Sequence, residues 1–173
     1  LQLALWHELN RYNRYAHGVL SPAQFDSGMK HTYDSRYLPK DLFQRDGVHL
    51  IRSAIGTGKT AVVEHLVKQN PNQSILFTTH LISLVESAAQ RLGLTSYNRC
   101  DNFDLQMESR LAICLNSLGK LTAEGSLRDY DVVIIDEIEQ VLARLTTHIE
   151  QKPLVFAVLQ YVMSNAKTLI CLD

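Results

Sequence analysis

Residues 53–60 (SAIGTGKT) have the types and spacing of a phosphate-binding loop. They follow an apolar segment that predicts a strand and precede an amphipathic segment that predicts a helix, which is the context such a loop requires. Gly56 and Gly58 allow positive φ and a close approach of the backbone, so that successive N–H groups and the helix N-terminus point at phosphates. Lys59 adds a charge at the β and γ phosphates, and Thr60 supplies a hydroxyl to Mg²⁺. The loop therefore predicts binding of ATP together with Mg²⁺.

The first position of this loop departs from the usual pattern G-x-x-x-x-G-K-[ST], because Ser53 stands where glycine is usual. From Gly56 onward the pattern is matched. A chance glycine turn between a strand and a helix is the alternative, but chance does not explain Gly-Lys-Thr at the start of the helix. We predict that the nucleotide is bound by six loop residues: Ser53, Gly56, Thr57, Gly58, Lys59 and Thr60.

Two adjacent acids, Asp136 and Glu137, directly follow residues 132–135 (VVII), which predict a buried strand. Asp136 is expected to hold Mg²⁺ with Thr60, usually through water, while Glu137 orients and deprotonates the attacking water. Lys59 and Glu137 are thus the catalytic candidates. The alternative is that the acids cap the helix predicted over residues 138–145, because carboxylates are favoured at a helix N-terminus.

Polar residues also follow two other predicted strands. Thr78, Thr79 and His80 come at the end of one, and Asn116 and Ser117 come at the end of another. Hydroxyls, an imidazole and backbone N–H groups at such positions can meet the phosphates of a nucleic acid. Because small polar residues also cap helices routinely, helix capping is the alternative for each of them. Their recurrence at strand ends on the nucleotide side of an open sheet favours a nucleic-acid track.

Short apolar strands that alternate with amphipathic helices position these residues. The pattern predicts an α/β fold in which helices flank a mostly parallel sheet. We predict an N-terminal helical extension over residues 1–46 and one P-loop NTPase domain over residues 47–173, with residues 95–110 as a loop. The predicted strands are 48–52, 74–78, 111–115, 131–135 and 168–172, and the predicted helices of the domain are 60–68, 81–92, 138–145 and 153–165.

Composition limits the remaining function classes. The 173 residues, 46% of them hydrophobic, suffice for one domain with a buried core, and a net charge of −1 excludes a generally basic protein that coats nucleic acid. Three cysteines without C-x-x-C spacing argue against disulfides and zinc. No apolar run approaches the roughly 18 residues of a membrane span. We therefore expect a cytoplasmic protein without a membrane partner.

The stretch from Tyr37 to Asp173 resembles the first RecA-like domain of superfamily 2 helicases. It is most similar to the origin-binding replication helicases of herpesviruses and to plasmid replication proteins of the cyanobacterial type. The residues that carry the resemblance are 52–60, 77–80, 116–118 and 135–142, the last of which includes the box D-E-x-x. The resemblance implies ATP hydrolysis coupled to movement on single-stranded DNA, in plasmid, phage or mobile-element replication.

The same resemblance implies partners. A second RecA-like domain, with the arginines that stabilise the transition state, is expected in a parent chain, as are a primase or other replication proteins. Alone, this chain is expected to be nearly inactive as a motor. Two alternatives stay open, namely a ring-forming ATPase of the clamp-loader type and a nucleotide-switched module that recruits replication proteins. Tyr37 is a further candidate, for stacking on adenine, with packing against the domain as its alternative.

Overall fold

A computed structural model of the protein describes residues 36–122, 127–146 and 151–173, without the side chains of residues 102 and 103. These residues belong to one compact unit, Arg36–Asp173. Most of the predicted helical extension, up to residue 35, lies outside the described residues. Residues 36–46 form turns that lead into the sheet, and within them Phe43 is buried in the core. This part of the chain therefore folds with the α/β unit.

Six parallel strands form the sheet, in the order β1-β6-β5-β2-β4-β3. Every residue of β2, β5 and β6 is buried, as expected for strands that are covered on both faces. The α/β fold with a parallel sheet and flanking helices, predicted from the sequence, is confirmed. The strands are β1 (Gly47–Ile51), β2 (Ile75–Thr79), β3 (Thr95–Ser96), β4 (Arg110–Cys114), β5 (Val132–Ile135) and β6 (Thr168–Leu172).

The helices connect these strands and cover the sheet. Gly93 ends α2 in the left-handed conformation, with φ 67°, because its N–H can then reach the carbonyl of Ala89. The helices are α1 (Lys59–Gln69), α2 (Ile82–Leu92), α3 (Asn102–Met107), α4 (Ile138–Thr146) and α5 (Lys152–Asn165), and two 3₁₀ segments follow β3 (Tyr97–Arg99) and β4 (Leu115–Thr122). In the described residues no helix is both long and apolar enough to span a membrane.

The predicted loop over residues 95–110 was wrong, because this segment contains β3, a 3₁₀ turn and α3. Each of these short elements is attached to the core by few apolar side chains, notably the buried Tyr97 and Leu105. Asp101 adds a local signal, since its carboxylate accepts a hydrogen bond of 2.9 Å from the N–H of Asp104. Such sparse apolar contacts leave no periodic pattern in the sequence.

Arg110, at the start of β4, fixes the C-terminal end of α1. Its guanidinium donates to backbone carbonyls there, namely those of Asn70 (3.0 Å), Gln73 (3.1 Å), Val67 (3.2 Å) and Pro71 (3.3 Å). These carbonyls include groups that a helix end leaves without intrahelical partners. The helix that follows the predicted phosphate-binding loop is therefore tied to the sheet at its far end.

Asp131 joins three strands at the opposite edge of the sheet from the loop. Its carboxylate accepts hydrogen bonds from the backbone N–H (2.9 Å) and the hydroxyl (2.8 Å) of Ser74, and it pairs with the ammonium of Lys167 at 2.7 Å. These contacts hold the pKa of Asp131 at about 2. The bond to Lys167 lowers this pKa most, followed by the bonds to Ser74. Asp131 thus links the starts of β2, β5 and β6.

We expect Asp131→Asn to lower the free energy of unfolding by about 1–2 kcal/mol at pH 7, a value reduced for the exposure of Lys167. Because the pKa of Asp131 is lower in the folded than in the unfolded chain, this stability is present above about pH 4 and is lost as the pH falls toward 2. Urea unfolding at pH 7 and at pH 3 measures it. Asp129→Asn, on the exposed neighbouring residue, is the control. If variant and wild type differed equally in free energy of unfolding at both pH values, the result would contradict the low pKa of Asp131.

Candidate functional site

The functional residues predicted from the sequence meet at the carboxyl edge of the sheet, where all six parallel strands end. The loop of residues 53–60 follows β1, and the acids follow β5, with β6 between these two strands. Asp173 directly follows β6. Its backbone N–H donates to the carbonyl of Ile51 (2.9 Å), and its backbone carbonyl accepts from the N–H of Ser53 (3.0 Å). The start of the loop is therefore held by the end of the strand that separates it from the acids.

The loop is shaped by its two glycines and by its own hydroxyls. Gly56 and Gly58 have φ of 84° and 86°, values that L side chains rarely adopt. Thr57 donates its hydroxyl proton to the carbonyl of Ala54 (2.9 Å), so Ser53 is the donor in its 2.7 Å bond to the Thr57 hydroxyl. Glycine at position 53 could not make this bond. The departure from the usual pattern thus adds an internal contact to the loop.

The start of α1 has the properties of an anion site. Gly58 caps the helix without a side-chain hydrogen bond, and no acid lies in the first turn. The first N–H groups of a helix have no intrahelical partner and carry its positive dipole end, so a phosphate would satisfy them. The ammonium of Lys59 donates to the carbonyl of Ser53 at 2.9 Å, which places its charge against the loop. The residues present therefore fit a bound polyphosphate.

Asp136 is a partly buried carboxylate next to the loop. Burial, followed by repulsion from Glu137, raises the pKa of Asp136, and the N–H of Glu137 and the charges of Lys59 and His80 oppose this shift. Its backbone N–H donates to the carbonyl of Thr78 at 3.0 Å, which extends the β2–β5 pairing past the strand. A cation beside Asp136 would stabilise its ionised form. This chemistry fits a metal ion held by Asp136 and by the exposed Thr60.

The metal site would depend on few protein ligands. Within the described ranges, no three or more histidine, cysteine or acidic residues are grouped to hold a metal ion. Mg²⁺ differs from zinc in this respect, because it keeps several waters and is commonly bound by one or two carboxylates together with phosphate oxygens. The pairing of a hydroxyl with one carboxylate is therefore sufficient for Mg²⁺ but not for a dedicated metal cage.

Glu137 has an unusual backbone conformation, with φ 54°. This left-handed conformation is costly for a residue with a side chain and is concentrated at functional sites. Its carbonyl accepts the first helical bond of α4, from the N–H of Val141 at 2.9 Å. No side-chain hydrogen bond of Glu137 occurs among the described residues, so its carboxylate does not cap α4 there. This geometry does not support the capping alternative.

The polar residues after β2 divide into buried and accessible groups. The hydroxyls of Thr78 and Thr79 are fully buried, and neither has a hydrogen-bond partner within the described part of the chain. Their burial argues against the predicted direct contact of these two threonines with a nucleic acid. His80 is half-buried, with Nδ1 also buried and without a partner there. Of the three, only His80 lies partly at the surface.

The residues after β4 remain accessible. Asn116 is exposed and Ser117 is half-buried, both at the start of the 3₁₀ segment Leu115–Thr122. Parallel strands end at one edge, so these two residues share that edge with His80. The structure therefore brings three of the five predicted nucleic-acid residues to the accessible carboxyl edge.

Tyr37 lies against the loop, a contact that spacing in the sequence cannot reveal. Its side chain is 59% exposed, and its Cδ1 lies 3.9 Å from the position that a Cβ would have on Gly58. The next residue, Leu38, donates its N–H to the carbonyl of Thr57 at 3.0 Å. The guanidinium of Arg36 lies 5.5 Å from the centre of the Tyr37 ring. An aromatic surface thus lies beside the predicted phosphate-binding loop.

One family model and three known proteins match this chain. The family model described as origin of replication binding protein matches residues 32–173. A replication origin-binding protein of Human herpesvirus 6A (strain Uganda-1102) is 32% identical to this chain over 104 residues. The match covers 57% of this chain and 13% of that protein. The protein of the same name in Human herpesvirus 6B (strain Z29) gives the same values. A protein of Acanthamoeba polyphaga mimivirus, named as an uncharacterized helicase candidate, is 28% identical over 125 residues, or 67% of this chain and 12% of that protein. The chain spans about one eighth of the length of these curated relatives.

Proposed function

Because the chain belongs to the origin of replication binding protein family, we propose that it is the ATP-binding and ATP-hydrolysing motor domain of a DNA helicase or translocase that acts in replication. The observation that carries the proposal is the start of α1, which has neither a side-chain cap nor an acid in its first turn and lies at the same sheet edge as two adjacent acids. This combination suits a nucleoside triphosphate whose terminal phosphate is cleaved. The names of the relatives support the replication context.

Each residue of the site has a distinct role in this proposal. The N–H groups of the loop and the ammonium of Lys59 bind and orient the phosphates, and Thr60 and Asp136 hold Mg²⁺. When bound, Mg²⁺ neutralises charge that develops on the phosphates. The carboxylate of Glu137 accepts a proton from the attacking water and directs that water at the terminal phosphate. Tyr37 offers a stacking surface for the base of the nucleotide.

The same edge of the sheet provides the nucleic-acid contacts of the proposal. His80, Asn116 and Ser117 lie at the ends of β2 and β4, beside the acids after β5. Single-stranded DNA along this edge would place a phosphate contact next to the residues that act on ATP. A second RecA-like domain would cover the other side of both ligands, in a parent protein of plasmid, phage or mobile-element replication that also engages a primase or other replication proteins.

Stimulation of ATP turnover by single-stranded DNA tests this function. In a protein that carries this chain with its second motor domain, we expect oligothymidylate to raise the rate of phosphate release several-fold, because DNA and ATP share one edge of the sheet. Residues 1–173 assayed by themselves should turn over slowly in both conditions, because arginines of a second RecA-like domain stabilise the transition state.

The same assay separates the alternatives. Turnover that DNA leaves unchanged would favour a ring-forming ATPase of the clamp-loader type. ATP binding without turnover would favour a nucleotide-switched module that recruits replication proteins. Either result would contradict the proposed motor.

A further inference from the structure

The 3₁₀ segment Leu115–Thr122 presents three distinct faces. In a 3₁₀ helix the side chains at positions i and i+3 eclipse, so every third residue lies on the same face. One face consists of Leu115, Leu118 and Leu121, all of which are buried. This face anchors the segment to the core and fixes the direction of the other two.

A second face is in contact with α5. A Cβ added to Gly119 would lie 3.1 Å from Cδ2 of Leu154 and 3.6 Å from Oε1 of Gln151, so this face has no room for a ligand at its centre. The third face carries Ser117 and Lys120, three residues apart. Ser117 is half-buried and Lys120 is exposed. The face that remains open to a partner therefore combines a hydroxyl with a positive charge.

Tyr97 holds the ammonium of Lys120 at the carboxyl edge of the sheet. The Nζ of Lys120 lies 5.4 Å from the centre of the Tyr97 ring, within the range of a cation–π contact. Tyr97 is only 5% exposed and directly follows β3, so the ring is a fixed support. The charge of Lys120 thereby lies near the carboxyl ends of β4 and β3, where β3 is the edge strand on that side of the sheet. A restrained lysine loses less entropy on binding than a fully mobile one.

Lys120 also forms no ion pair with an acidic side chain within residues 36–122, 127–146 and 151–173. In the part of the chain that the structure describes, four exposed cations have acidic partners: Lys68 and Arg91 pair with Glu64, Arg99 with Glu86, and Lys167 with Asp131. Lys120 is in none of these pairs. A cation that rests on an aromatic ring can still attract an anion, because the ring carries no net charge. The third face of the segment thus carries a positive charge that can attract an anion.

We infer that Lys120 and Ser117 bind a backbone phosphate of single-stranded nucleic acid, at the outer end of the track that His80 begins. This inference rests on the proposed function. The strand order β5-β2-β4-β3 puts Lys120 farther from the acids than His80. With about 4.8 Å between neighbouring strands, the track from His80, after β2, to the end of β3 is about 10 Å long. A single strand along it gains a charged contact that no residue predicted from the sequence supplies.

The salt dependence of binding tests this contact. Anisotropy of a labelled oligothymidylate is measured with the 173-residue chain between 50 and 200 mM salt. Each phosphate contact of a single strand contributes about 0.7 to the slope of log affinity against log salt concentration. We expect Lys120→Ala to lower the slope by about 0.7 and the affinity several-fold, whereas Lys120→Arg keeps the slope. Lys68→Ala is the matched control, because Lys68 is similarly exposed but lies near the far end of α1, and it should leave the slope unchanged.

Two variants of the supporting ring separate its role from that of core packing. Tyr97→Phe keeps the aromatic face and should bind like the wild type, while Tyr97→Leu keeps the core apolar but should weaken binding at unchanged slope, because the charge remains. If Lys120→Ala binds with the wild-type slope, or if Lys68→Ala lowers the slope equally, the inference is wrong and the proposed function is untouched. If the wild-type chain does not bind the oligonucleotide at all, the proposed nucleic-acid track is itself wrong.

Discussion

Replacing Lys59 with alanine is expected to weaken the binding of Mg²⁺-ATP to this chain by at least about tenfold. Lys59 is the sole side-chain cation of residues 53–60, and its ammonium already lies at 2.9 Å from a loop carbonyl. A charge-assisted contact to phosphate contributes about 1.5–3 kcal/mol, so its loss weakens binding by about 10- to 150-fold. Isothermal titration calorimetry of both proteins with Mg²⁺-ATP measures the change.

The fold should survive this substitution. Lys59 is only partly buried, and its one hydrogen bond is to the loop itself, so we expect the free energy of unfolding to change by less than about 0.5 kcal/mol. Lys68→Ala, on the same helix but at its other end, is the control for the removal of one positive charge. Equal affinity of the wild-type and Lys59→Ala proteins, with both of them folded, would overturn the phosphate-loop assignment.

Replacing Glu137 with glutamine is expected to leave ATP bound but to lower turnover by about 10²- to 10⁴-fold. The amide has nearly the shape of the carboxylate and cannot accept the proton of the attacking water. Glutamine has the same energetic cost as glutamate at a φ of 54°, because both have a side chain. A loss of turnover would therefore come from the loss of the carboxylate and not from a change in backbone strain. The measurement is single-turnover ATP hydrolysis in a protein that carries the second motor domain, with titration calorimetry for binding.

Glu139→Gln is the matched control for Glu137→Gln. Glu139 is an exposed acid in the first turn of α4, two residues farther along the chain, and its loss removes the same charge from the same helix end. It should change turnover little. Normal turnover in Glu137→Gln would contradict the catalytic role of Glu137 and leave it a purely structural role at the start of α4.

Sequence patterns predicted the α/β architecture because the central strands are buried on both faces. Runs such as VVII at residues 132–135 have no polar residue to suggest another structure, and Gly93 ends α2 by a local mechanism. The boundaries of α1 and α2 differ from the predicted ones by one residue at most. In contrast, the elements between residues 95 and 110 depend on single buried side chains, and such contacts are formed by tertiary packing.

The loop and the acids lie at one edge of the sheet, as their positions after predicted strands indicated. The depth of a polar side chain at a strand end could not be predicted in the same way. Thr78 and Thr79 are followed by His80 and a helix, which is typical of an accessible turn. Both hydroxyls are nevertheless buried, because β2 is a central strand of a sheet that is covered on both faces. Lys120 was missed for a related reason, since its support by Tyr97 comes from another strand.

The position of β6 between β1 and β5 determines when the site can form during synthesis. The loop after β1 and the acids after β5 are not in neighbouring strands, so residues 168–172 must pair with both before the two halves are held at their final separation. A chain made from its N-terminus therefore has the loop of residues 53–60 long before that loop and the acids form the proposed site. Because this closure joins residues more than a hundred positions apart, we expect it to be the slow step of folding. A nascent chain that has not yet made β6 would carry both the loop and the acids without a strand that holds them together.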